Sequence, residues 1–319
     1  MKILVIQNRM GIGDMVMFIP YIEAISKKYN TPVSLMTKKS TKANIYLKNS
    51  KFISEIINLE RDQKYKKHSG ILGFFRLIND IRQKKFDKIF IFNSSLRYSI
   101  IARLSNIKNI HQYPLFQKNK QHIIEAAKDL VSTIIEQNVN PTSVLQINKN
   151  DTEEAKTKFS IDHEKINIII GPGGSGITKR VPATTFIILL KKIIKKYDSH
   201  FYIATGNNED EIKILNEIVN SDIKKYCTPL NNLSIENILP IISNCKIAVC
   251  NDTSFSHLSA GCGIKTIVLM VDTPLIYGSY SNKMYPILPM GETSVSHNTL
   301  GKERIDPEEI FRKFESLLN

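Results

Sequence analysis

The 319 residues, 42% of them hydrophobic, are enough for one large domain or two ordinary ones, and two is the expectation. The apolar run before Gln7 and Arg9 is too short for a signal-peptide core, and no later run approaches the roughly 18–20 apolar residues that span a bilayer, so a soluble, cytoplasmic chain is expected. The formal charge of +14 is unevenly placed, because residues 1–150 hold 25 Lys and Arg against 10 Asp and Glu, whereas residues 151–319 hold 19 against 20. The basic half predicts an acidic partner. Nucleic acid, an anionic lipid surface and a phosphorylated substrate each fit the charge. No helix-turn-helix, zinc or RNP-like motif accompanies it, so a nucleic-acid partner is not expected. Cys227, Cys245, Cys250 and Cys262 form no C-x-x-C pair and have no His cluster at ligand spacing, so they read as buried free thiols rather than metal ligands.

In chain order, short β-type runs alternate with helical stretches. KILVIQ (2–7) is followed by the helical MVMFIPYIEAISKKY (15–29), then by PVSLMT (32–37) and FDKIFIFN (86–93). After the polar stretch 148–165 come NIIIG (167–171), HFYIAT (200–205), KIAVCN (246–251) and KTIVLM (265–270). This is the rhythm of parallel α/β sheets, and it predicts two Rossmann-like domains, residues 1–155 and 156–319. The chain closes on DPEEIFRKFESLLN (306–319), where Asp306 caps, Pro307 suits the first turn, and Ile310, Phe311, Phe314 and Leu317 make an apolar face.

Chemistry in such domains lies beyond the carboxyl ends of the strands, so the strand-to-helix turns carry the candidates. The first turn is GIGD (11–14). Val16 stands where a dinucleotide fingerprint needs its third glycine, and strand 32–37 ends in lysines instead of an acid for a ribose. The Asp14 carboxylate at a helix start would repel phosphate. It suits a neutral hydroxyl whose proton it can take, or it caps the helix. The second turn, GPGGSGITKR (171–180), is not a Walker loop, because Ile177 occupies the lysine position. Its glycines allow close backbone approach, and Lys179 with Arg180 can neutralise a pyrophosphate; otherwise it is a flexible basic loop. In the third turn, TGNNEDEI (205–212), one carboxylate of the first helical turn is a candidate for a ribose diol, Glu209 being preferred, although acids there also complement the helix dipole.

The fourth turn lies within VCNDTSFSHLSAGCG (249–263). Asp252, Thr253 and Ser254 open a helix whose free N–H groups and hydroxyls form an anion site. His257, four residues after Thr253, lies on the same face one turn in, where it is read as a ligand contact in preference to a structural histidine.

Taken together, ILVIQNRMGIGDMVMFIPYIEAI, GPGGSGITKRVP, the N-D-T-x-x-x-H segment and the following DTP (272–274) resemble the bacterial lipopolysaccharide heptosyltransferases, glycosyltransferase family nine. The resemblance covers both halves in order. It implies two Rossmann-like domains facing a cleft in the glycosyltransferase B-type architecture, with the C-terminal helix a candidate to cross back to the first domain. It implies inverting transfer without metal or cofactor, from a nucleotide-sugar donor, ADP-heptose first, to an acidic glycolipid or glycan acceptor. Asp14 becomes the catalytic base. Gly173, Ser175, Thr178, Lys179, Arg180, Glu209, Asp252, Thr253, Ser254 and His257 become the donor pocket. Gly13 and Lys64, Lys66 and Lys67, from the basic and apolar segment 64–85, become acceptor contacts. That segment reads either as an interfacial helix, consistent with peripheral association at the cytoplasmic face of the inner membrane, or as a partly buried helix with a solvated basic face.

The donor is where this chain departs from the family. Ser254 stands where members often have Gly, Val181 where they often have Trp, and the chain has no Trp. A non-heptose donor is therefore the alternative. A related nucleotide-sugar epimerase would need its own motif, and no Y-x-x-x-K stands in a suitable place.

Overall fold

In the computed structural model, residues 1–61, 66–116 and 122–318 are described. The chain divides into two compact units, Met1–Ser143 and Val144–Asn319. The first runs β1 (Ile3–Ile6), α1 (Ile12–Lys28), β2 (Val33–Thr37), α2 (Ala43–Tyr46), β3 (Ile53–Asn58), α3 (Gly70–Lys84), β4 (Lys88–Ile91), α4 (Leu96–Leu104), β5 (Asn109–Gln112) and α5 (Ile123–Ile135). All of its strand pairs are parallel, in the order β3-β2-β1-β4-β5. The chain winds outward from β1 on one side, then returns beside it as β4, which makes the β1/β4 junction a topological switch point.

The second unit runs α6 (Lys149–Lys158), β6 (Ile166–Gly171), α7 (Ala183–Lys196), β7 (Ser199–Ile203), α8 (Glu209–Val219), β8 (Cys227–Pro229), α9 (Ile235–Ser243), β9 (Ile247–Asn251), α10 (Ser254–Gly261), β10 (Lys265–Leu269), β11 (Met284–Ile287) and α11 (Pro307–Leu318). Its six strands are parallel in the order β11-β10-β9-β6-β7-β8, so β6/β9 is the second switch point. The central strands β1 and β9 are buried at every position, β1 apolar throughout and β9 apolar up to Asn251, as suits strands covered by helices on both faces. The domain boundary expected at 155/156 falls inside α6, which packs against α9 of the second unit.

The C-terminal helix α11 packs on the core of the second unit. Ile310, Phe314 and Leu317, at helical spacing, join the core of the second unit with Phe186, Leu190 and Ile193 of α7. Burying each contributes about 1.5–3 kcal/mol. The polar edge is fixed to the same unit: Tyr197 donates to Glu315 at 2.8 Å and Lys192 pairs with Glu308 at 2.6 Å. The four cysteines are free, but only Cys245 and Cys250 are fully buried; Cys227 and Cys262 are partly exposed. Burial pushes the Cys227, Cys250 and Cys262 thiols up to about 12, which suppresses the thiolate.

Candidate functional site

In the second unit the glycine-rich loop after β6 and the turn after β9 meet at the switch point. A Cβ on Gly171 would lie 2.7 Å from Cys250 Sγ, so only glycine lets β6 end against β9. Asn251 then ties the loops together, its Nδ2 donating to the carbonyls of Pro172 (2.7 Å) and Gly173 (3.1 Å).

Asp252, the next residue, is the buried centre of the site. Its Oδ2 accepts from Lys179 Nζ at 3.1 Å and from Thr273 Oγ1 at 2.7 Å, and its Oδ1 lies 3.7 Å from His257 Nε2. Burial by itself would raise this carboxyl; the His257 ring, the Lys179 ammonium and the Thr273 hydroxyl outweigh it and hold the group well below the usual carboxylate range. Thr253 caps α10, its Oγ1 accepting from Phe255 N at 3.1 Å. Thr253 and Ser254 are partly exposed where the helix opens, and His257 is buried one turn further in.

The glycine loop is braced from its other side. Glu211 accepts from Gly174 N at 2.8 Å and from the Asn208 side-chain amide, while Asn208 Oδ1 accepts from Glu211 N at 3.0 Å. Asn208 thus caps the start of α8, and Glu211 joins that cap to the glycine loop. A Cβ on Gly173 would fall 2.1 Å from Glu211 Oε1. Arg180 donates through Nε to the Gly174 carbonyl at 2.9 Å and through Nη1 to Asp210 at 2.7 Å. Asp272, just after β10, accepts from Leu300 N at 3.0 Å. Burial raises its carboxyl, and its bonds to Leu300, Thr178 and Asn298, with the nearby His297, bring it below its ordinary value.

In the first unit, Asp14 is the third residue of α1. Its Oδ2 accepts from Gly11 N at 3.2 Å, which caps the helix, and its Oδ1 accepts from Arg9 Nε at 2.8 Å. The carboxylate lines a cavity of about 400 Å³ together with Asn8, Arg9, Asn93, Tyr113 and Pro114. Asn93, just past β4, donates to Asn8 Oδ1 at 3.0 Å, so both sides of the first switch point contribute. Burial, with the Tyr21 phenol adding and Arg9 opposing, pushes the Tyr113 hydroxyl well above its usual value, and the phenol donates to the Ile123 carbonyl at 3.0 Å.

The sequence pattern of "Glycosyltransferase family 9 (heptosyltransferase)" matches residues 74–293. The chain belongs to glycosyltransferase family 9. Its fold is shared by E. coli ADP-heptose lps heptosyltransferase II at 19% identity and TM-score 0.75, over 100% of this chain and 98% of that one. A family 9 glycosyltransferase from Veillonella parvula matches at 15% identity and TM-score 0.79, over 99% and 97% of the two chains. E. coli heptosyltransferase WaaC, solved with ADP, matches at 12% identity and TM-score 0.71, over 99% and 100%. No curated protein matches the chain by sequence.

In this family 9 glycosyltransferase, the structure brings Lys179, Asp252, Thr253, Ser254 and His257 together and places Gly173 and Arg180 in the adjoining loop. Ser175 is exposed on that loop. Several side chains are engaged otherwise than the sequence suggests. His257 is not at the open mouth of α10; its Nδ1 lies 3.1 Å from the Tyr280 hydroxyl, the rings stack at 5.6 Å, and its other nitrogen faces Asp252. Glu209 is exposed on the outer side of α8, and Glu211 is the acid that reaches the loop. Thr178 bonds Asp272.

Gly13 is in the first turn of α1, partly exposed. Lys66 and Lys67 precede α3, where Lys67 pairs with Asp80 at 2.6 Å; neither lines the Asp14 cavity. Lys64 lies outside the described residues. Sequence reasoning preferred Glu209 to Glu211 among the acids of that turn and gave no role to Thr273 or Tyr280. The N-x-x-E spacing from Asn208 marks Glu211, and Thr273 follows β10 at the same sheet edge, but nothing in the sequence points to Tyr280. Among the described residues no cluster of three His, Cys, Asp or Glu is placed to hold a metal ion, and no helix is long and apolar enough to cross a membrane.

Proposed function

We propose that the protein transfers heptose from ADP-heptose to a lipopolysaccharide-core or related glycan acceptor, with inversion and without a metal ion. The acceptor hydroxyl attacks the anomeric carbon, its proton passes to Asp14, and the bond from that carbon to the diphosphate oxygen breaks as ADP leaves. The donor's diphosphate lies at the opening of α10, against Lys179 and the Thr253 and Ser254 amides and hydroxyls, with Gly173, Ser175, Thr178 and Arg180 shaping the loop around the nucleotide. Asp252 and His257 act here by holding Lys179 and the helix start in place. Glu209 is retained only as an outer contact to the ribose; Gly13 and Lys64, Lys66 and Lys67 serve the acidic acceptor. The basic first unit associates peripherally with the cytoplasmic face of the inner membrane.

The observation that carries this reading is the neutralised Asp252. With its charge met by Lys179, Thr273 and His257, a carboxylate at a helix start no longer repels an anion, and the positive helix end is available to a diphosphate. Two heptosyltransferases of the same fold support the choice of sugar, one named for ADP-heptose and one solved with ADP. Calorimetry with ADP and with UDP tests it: ADP is expected to bind more tightly, and Lys179→Ala to weaken ADP by about 1.5–3 kcal/mol, the worth of one charge-assisted contact. Unchanged affinity in Lys179→Ala removes that residue from the donor site, and a preference for UDP replaces the donor.

A further inference from the structure

The first unit carries an apolar surface that its own core does not use. On α3, Gly73, Leu77, Ile78 and Ile81 face inward, whereas Ile71 and Leu72 are 78% and 72% exposed and Phe75 stands beside them in solvent. On α4, Tyr98, Ile101 and Ala102 are buried, while Leu96, Ile100 and Leu104 recur every fourth residue along the exposed side. The two helices lie side by side and run the same way. Near their starts the Arg97 guanidinium sits 5.0 Å over the Phe74 ring, and at their ends Arg82 donates to the Leu104 carbonyl. Their exposed apolar residues are therefore carried by neighbouring helices of one unit. Phe116, 81% exposed and held at φ +62°, a backbone region uncommon for a bulky residue, is a further exposed apolar side chain of the same unit. Single exposed apolar side chains are ordinary; a concentration on neighbouring segments marks a contact surface.

Topology fixes where this surface lies. In a parallel sheet every following helix starts at the carboxyl ends of the strands, so α3 and α4 begin at the same sheet edge as α1 and Asp14. Leu96 follows Asn93 by three residues and Phe116 follows Pro114 by two, and both Asn93 and Pro114 line the Asp14 cavity. Cations accompany the apolar residues: Lys66, Lys67, Arg76 and Arg103 are exposed on the same turns and helices. Exposed aliphatic and aromatic side chains among lysines and arginines match an anionic interface, with apolar atoms for the acyl boundary and cations for the headgroups.

We infer that this face, formed by α3, α4 and Phe116, docks on an anionic lipid bilayer, with Ile71, Leu72, Phe75, Leu96 and Phe116 entering the headgroup–acyl boundary. The inference deepens the membrane association proposed above and is tested without turnover. The full chain is co-sedimented with vesicles of equal parts phosphatidylglycerol and phosphatidylcholine, and with phosphatidylcholine alone. Ile71→Ser with Phe75→Ser, and Leu96→Ser with Ile100→Ser, are expected to melt as wild type and to bind anionic vesicles at least about tenfold more weakly. Arg76→Glu with Arg103→Glu is expected to cost about as much at low salt, whereas Lys51→Glu with Lys108→Glu, before β3 and β5 at the opposite sheet edge, should leave binding within about twofold. Because the chain has no Trp, Leu72→Trp supplies a single reporter whose emission should shift to the blue on anionic vesicles. Wild-type binding by both apolar variants, equal losses from the two charge reversals, or equal affinity for phosphatidylcholine alone overturns the docking face. Intact ADP binding in the same variants leaves the transferase reading standing.

Discussion

Replacing Asp252 by Asn tests whether its carboxylate is the charge that organises the second unit's site. Asn keeps the shape, and its Oδ1 can still accept from Thr273, so what is lost is the charge-assisted bond from Lys179 at 3.1 Å and the attraction to His257 at 3.7 Å. The Asp252 side chain is 7% exposed but that of Lys179 is 21%, so solvent partly screens the pair and the expected cost is about 2 kcal/mol. Asp252→Ala, which also strands Thr273, should cost about 4 kcal/mol. In a unit of this size the Asn variant should melt about 4–8 °C lower.

The pH dependence has a definite sign. The folded carboxyl is held below its ordinary value, so its contribution is complete above about pH 4 and is lost as the pH falls further. Thermal melts should therefore show a gap between wild type and Asp252→Asn at about pH 5 that closes below about pH 4. Adding Lys179→Met should recover about 1 kcal/mol of the Asn cost, since the unpaired cation goes too. A variant as stable as wild type, or a gap that ignores pH, refutes the reasoning.

Glu211→Gln should cost about 1–2 kcal/mol in thermal unfolding and weaken ADP in calorimetry, because one amide oxygen cannot replace two carboxylate oxygens bonded to Gly174 and Asn208; exposed Glu209→Gln should leave stability unchanged and weaken ADP less than Glu211→Gln does. Gly171→Ala should lower stability by about 1–3 kcal/mol by forcing β6 from Cys250, and Cys250→Ala in the same chain should restore much of it; no rescue means that the close approach is not the constraint. Asp14→Asn should reduce product formation at saturating donor by about 10²–10⁴-fold while costing at most about 1 kcal/mol of stability, since Asn still caps Gly11; near wild-type turnover ends the base assignment.

The seven strands legible in the sequence, β1, β2, β4, β6, β7, β9 and β10, are the interior strands of the two sheets, and the four it does not announce are their four edges. An interior strand is covered on both faces and paired on both sides, and its continuous apolar run is the signal. Edge strands lack that run: β5 reads Asn-Ile-His-Gln, β8 has three residues, β3 is partly exposed along its length, and β11 carries Pro286, which an edge tolerates. The turns of the site were legible because they follow interior strands. The direction of each side chain was not. Glu209, Asp210 and Glu211 are adjacent on a helix and point roughly 100° apart, so they meet different groups: Asp210 pairs with Arg180, Glu211 bonds Gly174 N beside the Asn208 cap, and Glu209 stays exposed. His257 turns toward Tyr280, a neighbour brought in by a loop 23 residues further on.

The two units use one topology to opposite electrostatic ends. Each brings an acid to the start of a helix at its switch point, a position where the helix dipole favours an anion. In the second unit that acid is buried and neutralised by Lys179, Thr273 and His257, so the helix start remains free for the charge of a ligand. In the first unit Asp14 occupies the favoured place itself, capping Gly11 with one oxygen and pairing with exposed Arg9 through the other, so its charge faces a cavity lined by the amides of Asn8 and Asn93. A site already holding its own anion at the helix end is poorly suited to a diphosphate and well suited to a hydroxyl that must lose a proton. The proposed assignment of donor to the second unit and of base to the first rests on where each carboxylate finds its counter-charge.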